Sequence, residues 1–139
     1  MSDEIRVFEY RLESVHGEGE NELADVSCER LGDDGWAPYA LHMTGPPFGM
    51  FMFSAFVCQL AYLRMNATER GLGIERVRGH FRMTTDAWIV QAVEAEFWMH
   101  LRSGTPTADD LAFIVERMEG CPVSRNLTLA RKQTRLHVA

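Results

Sequence analysis

Between Asp34 and Arg64 the chain carries no Asp, Glu, Lys or Arg, and this gap constrains the fold more than any other feature. Gly45-Pro46-Pro47 divides it, and a helix is expected to start at the prolines, because a missing N–H is tolerated in a first turn. Met50, Phe51, Phe53, Ser54, Val57, Cys58, Ala61 and Met65 follow at helical spacing, and Gly71 and Gly73 supply a stop. The apolar run from Pro47 to Leu63 is about 17 residues, the lower limit for crossing a bilayer at roughly 1.5 Å of rise per residue. Ser54, Cys58 and Gln59 dilute it further. A helix apolar on nearly all sides is then expected to be buried on all sides.

The flanking sequence reads as strands. Ile5 to Leu12 alternates imperfectly and runs into the turn signal His16-Gly17-Glu18-Gly19, Leu23 to Arg30 makes a second strand, and Trp36 to Met43 a third. Pro38 places this third strand at an edge or makes it irregular. After the long helix, Ile74 to Met83 and Ala87 to Arg102 read as two strands joined at Thr84-Thr85-Asp86. Ile89, Val93, Ala95, Phe97, Met99 and Leu101 form an apolar face of period two. Such a ribbon needs a helix packed on that face. Thr107 caps a second helix with acidic Asp110 at its N3 position, close to a capping box. Leu111, Ile114, Val115 and Met118 are its apolar stripe, and Gly120 is expected to end it in the left-handed conformation. Lys132 to Val138 is a final strand.

The 139 residues suit one domain, 1–139, of α+β class: an antiparallel sheet around one long buried helix. A net charge of −6 with no clustered basic surface argues against nucleic acid as a partner, and the buried-helix reading argues against a membrane. The acidic start Met1-Ser2-Asp3-Glu4 is unlike a secretory signal. Three cysteines without CxxC spacing indicate neither a disulfide framework nor a zinc site, and His42, Cys58 and His100 lack metal-ligand spacing. No metal or bound cofactor is expected. A reducing cytoplasm fits best, where a disulfide would be transient rather than structural.

Cys58 lies in the uncharged helix, and Cys121 opens Cys121-Pro122-Val123-Ser124 just past the capped helix. Two thiols in such different settings read either as a redox pair or as small core residues. By itself a thiol in an apolar helix is inert, because burial raises its pKa. Cys28, in a plain strand pattern, reads as structural.

The order of elements, with one cysteine in the buried helix and Glu119-Gly120-Cys121-Pro122-Val123-Ser124-Arg125-Asn126-Leu127 after the other, resembles the OsmC/Ohr family. The resemblance covers nearly the whole chain. It implies a cytoplasmic, interlocked homodimer that reduces organic hydroperoxides: Cys58 attacks the peroxide, Cys121 resolves the sulfenic acid to a disulfide, and an external dithiol restores both. With Pro122 at N1, Cys121 would sit at the positive end of a short helix, which favours its thiolate. Met50, Phe48, Phe51 and Phe56 would line a pocket for a lipophilic peroxide. The chain departs from the family where a Glu follows the helix-start Pro, ten residues before the first cysteine: here Pro47 is followed by Phe48. The family's Arg, from the N-terminal hairpin, has His16 in its place, with Arg11 earlier on the strand. His16 is therefore the candidate base or cation. Alternatives are a catalytically silent domain binding a small apolar ligand, and a slow dithiol–disulfide switch.

Overall fold

The computed structural model describes residues 4–139. Strands β1 (Ile5–His16), β2 (Leu23–Gly32) and β3 (Gly35–Pro38) precede helix α1 (Pro47–Glu69). Strands β4 (Gly73–Asp86) and β5 (Ile89–Ser103), helices α2 (Ala108–Glu119) and α3 (Pro122–Arg125), and strand β6 (Arg131–Val138) follow. The six strands form one sheet in the order β3-β2-β1-β4-β5-β6. All neighbours are antiparallel except β5 and β6. That parallel pair requires a crossover, which α2 and α3 provide. The α+β reading holds.

Alternation decides which face of the sheet is covered. Tyr10, Leu12, Ser14 and His16 of β1, Phe81 and Met83 of β4, and Val93, Ala95, Phe97 and Met99 of β5 all turn to one side and are buried. On that side α1 contributes Met52, Ala55, Phe56, Leu60, Leu63 and Ala67, and α2 adds Ile114 and Met118. The other face carries Arg, Glu, His and Trp.

The capping box at Thr107 and Asp110 is complete: Thr107 Oγ1 accepts from the Asp110 N–H, and the Asp110 carboxylate accepts from the Thr107 N–H. Thr107→Ala should therefore cost about 1 kcal/mol in a chemical denaturation experiment; an unchanged midpoint would show that α2 is held by packing alone. α1 ends in a Schellman arrangement, with Gly71 at φ +73° and bonds from Leu72 N to Ala67 O and from Gly71 N to Thr68 O.

Four expectations need correction. β3 stops at Pro38, although it does lie at the sheet edge. Only Tyr39 N, donating to Cys28 O, continues the pairing beyond it. The β4–β5 turn is Ala87-Trp88, both at positive φ (48° and 68°), and not Thr84-Thr85-Asp86. A bulge between Thr84 and Thr85 then reverses the alternation on β5, so Ile89 is exposed and Val90 is buried. Gly120 has φ −89°, not a left-handed value. Pro122 ends the helical path instead, by holding Cys121 extended at φ −63°, ψ 153°. Finally, α1 is not buried on all sides within one chain: Phe51, Val57 and Met65 remain well exposed.

Candidate functional site

Helical spacing places Met50, Ser54, Val57, Cys58 and Ala61 on the side of α1 turned away from the sheet. Together with Phe53 and with Leu41 from the preceding loop, they line an apolar cavity of about 400 Å³. Among the described residues, no charged side chain lines it. Cys58 is half-buried in its wall.

Cys121 is fully buried and forms the N-cap of α3, whose Pro122 occupies N1. The two thiols are free and not joined to each other, and they lie near enough for Cys58 to act on the ionisation of Cys121. The structure thus brings together residues 63 positions apart in sequence. Burial, reinforced by the neighbouring Cys58, pushes the Cys121 thiol up to about 11. The backbone N–H groups of Ser124 and Val123 oppose this but do not win. The expected thiolate preference of a helix-start Cys121 is therefore reversed: two amide dipoles do not offset the loss of hydration.

His16 is not in this site. Its ring is buried at the sheet end near the close of α1, where Nδ1 donates to Asn21 O (2.9 Å) and Nε2 faces Ser14 Oγ (2.8 Å). Burial lowers its pKa, and the bond to Asn21 only partly compensates. Asn21 in turn bonds Thr68 Oγ1, Leu72 O and Ile74 N, pinning the β1–β2 turn to the end of α1. Thr68 is ten residues beyond Cys58, roughly 15 Å along the helix. His16 is a structural histidine, and not the solvated turn residue its glycine-rich context implies. Arg11 lies on the opposite sheet face, paired with Glu29 at 2.7 Å.

The four expected pocket residues separate. Met50 lines the Cys58 cavity. Phe48 and Phe51 line a second cavity of about 400 Å³ with Trp88, Ile89, Leu127 and Leu129. Phe48 also belongs to an aromatic cluster, 5.7 Å from Phe8, 5.1 Å from Trp88 and 5.6 Å from Phe51 between ring centroids. Phe56 is in neither cavity: it is enclosed between Phe81 and Phe97. Leu41, Val57 and Ala61 were not anticipated as pocket residues. The last two were readable from their three-residue offsets from Ser54 and Cys58.

Cys28 is half-buried on β2, beside Tyr10, Tyr39 and Arg30 and apart from the pair. Burial first, and the Glu29 charge second, push its thiol up to about 11.

No family model matches the chain, and no curated protein is significantly similar to it. Solved structures do match. An OsmC-like hydroperoxide resistance protein from Jannaschia sp. CCS1 superposes with a TM-score of 0.58 at 13% identity, over 88% of this chain and 87% of that one. An OsmC-like protein from Mycoplasma pneumoniae gives 0.56 at 10% identity, over 100% and 98%. An OsmC-like protein of unknown function from Vibrio cholerae gives 0.50 at 12%, over 81% and 84%.

Proposed function

From a chain with an OsmC-like fold, we propose that this protein, a divergent OsmC/Ohr relative, reduces organic hydroperoxides with a pair of thiols. One observation carries the reading: Cys58 opens onto an apolar cavity, and the buried Cys121 lies near enough to Cys58 to feel its charge. A lipophilic peroxide enters among Leu41, Met50, Phe53 and Val57. The Cys58 thiolate attacks the terminal peroxide oxygen, the O–O bond breaks, and the leaving alkoxide takes up a proton to become the alcohol. Cys58 is now a sulfenic acid. The Cys121 sulfur attacks it, loses its proton, and forms the disulfide with release of water. A dithiol reductant then returns both sulfurs to thiols.

Ionising Cys58 calls for a cation. Neither His16 nor Arg11 reaches it within the chain, and among the described residues no charged side chain lines the cavity. A second copy of the chain would meet this need. Docked on the apolar stripe of α1, it would cover Phe51, Val57 and Met65 and bring its own polar groups to the cavity mouth.

The test is stopped-flow oxidation of the reduced protein by cumene hydroperoxide, with thiols counted before and after. The expected result is fast loss of two thiols per chain, abolished by Cys58→Ser. In Cys121→Ser, Cys58 should instead pass on to the sulfinic acid. Thiols reacting no faster than free cysteine would sink the proposal. The second cavity, with Phe48 and Trp88 at its wall, supports the other reading, binding of a small apolar ligand. Saturable binding that survives loss of both thiols would establish it.

A further inference from the structure

On the sheet face remote from α1, Trp36 of β3 and Trp98 of β5 flank a cleft of about 550 Å³. That volume is within the range of small-molecule sites. Its floor is main chain at Leu12 and Gly79, the Leu12 side chain and the missing Gly79 Cβ both pointing into the core. Most of the charges around it are already matched. Arg11 Nε donates to Glu29 (2.7 Å) while its guanidinium lies over Trp36, and His80 Nε2 faces Glu9 (2.9 Å).

Glu13 and Arg78 are the exception. They are direct register partners on β1 and β4, the arrangement in which opposite charges ordinarily pair. Among the described residues, however, neither makes an ion pair or a side-chain hydrogen bond, and Arg78 lies over Trp98 at 5.2 Å. A carboxylate and a guanidinium thus stand side by side, unmatched, in a cleft with an indole at each side.

We propose that this cleft binds an aromatic α-amino acid. Arg78 takes the carboxylate through parallel N–H donors, and Glu13 accepts from the ammonium. The ring lies between Trp36 and Trp98. It meets Trp98 at its edge, since the faces of that indole are occupied by Arg78 and by His137 at 5.6 Å. Charge complementarity selects the zwitterion. An aromatic acid without an amine sets its carboxylate beside an uncompensated Glu13, and an aromatic amine without an acid sets its ammonium beside Arg78. The cleft lies across the sheet from Cys58, so this proposal does not depend on the thiol chemistry.

The test is a ¹⁹F NMR titration of 4-fluoro-L-phenylalanine with the full, reduced chain. Saturable binding is expected, weakened at least about tenfold by Arg78→Gln and by Glu13→Gln. Both side chains are exposed, so the variants should fold normally, which circular dichroism checks. The fluorinated phenylpropionate and phenethylamine, each lacking one charge, should bind at least about tenfold more weakly than the amino acid. The proposal is overturned by no saturable binding at several millimolar, by equal binding of either single-charge analogue, or by unchanged affinity in both variants.

Discussion

Phe56→Ala is expected to lower unfolding stability by about 3–5 kcal/mol, a large part of what a domain of this size possesses. The Phe56 ring is wholly enclosed, stacked on Phe81 at 5.1 Å and 24° and tilted against Phe97 at 5.6 Å. The sheet makes room for it at Gly79, where an added Cβ would stand 3.0 Å from both Phe56 and Phe97. Two features keep the resulting hole open. β4 is hydrogen-bonded on both sides, to β1 and β5, so its main chain cannot sink toward the helix. α1 is held at its far end by Asn21 and its neighbours. The cost therefore includes the cavity as well as the lost burial. Urea denaturation with an unchanged m-value would measure it. A loss below about 1.5 kcal/mol would mean that the neighbours collapse and that this aromatic stack is not the centre of the core.

That result would also separate structure from chemistry along one helix. Phe56 and Cys58 are two positions apart and face different sides of α1, one into the sheet and one into the outer cavity. The sequence pattern could not show this division. With no charged residue from Asp34 to Arg64, nothing marks which face is solvent and which is core, so Phe56 reads as a pocket residue as readily as Met50 does. Where polarity alternates, the outcome is different. β5 carries a clear period of two, and its inner face is legible up to the bulge that exposes Ile89, whereas β1 alternates less regularly. The capping box of α2 and the stop after α1 were legible because their chemistry is local. The Ala87-Trp88 turn was not, because it uses the positive-φ geometry of a tight hairpin without the Asn or Gly that normally announces it. For the site, the resemblance singled out Cys58 and Cys121 but not the distance between their sulfurs. The place of His16 was not legible either, because its glycine-rich turn conceals the Asn21 bonds that fold it inward.

Raising the pH above 9 should destabilise the reduced protein steeply, and the buried thiol of Cys121 should account for much of the loss. That thiol ionises near its ordinary value of 9.0 in the unfolded chain but is pushed up to about 11 in the folded one, by burial first and by Cys58 second. Below pH 9 both states hold the proton and stability does not depend on it. Between 9 and 11 the unfolded chain releases a proton that the native state keeps, so stability falls as pH rises, by roughly 3 kcal/mol across the window. Tyr10 adds a second loss of the same sign between pH 10 and 12, since burial pushes its phenol up to about 12 against the pull of Arg30. Cys28, only half-buried, contributes less in the same direction as Cys121. Urea midpoints taken anaerobically at intervals from about pH 8 to about pH 12 would show the decline. The decline should flatten in Cys121→Ser within the lower window and in Tyr10→Phe within the upper one. If the Cys121→Ser and parent curves stay parallel through pH 11, the Cys121 thiol has the same pKa folded and unfolded, and burial does not raise it. The description of Cys121 as a thiol whose proton is held by its burial would then be wrong. Because this experiment uses no peroxide, it probes the state of the second sulfur independently of whether the first one reacts.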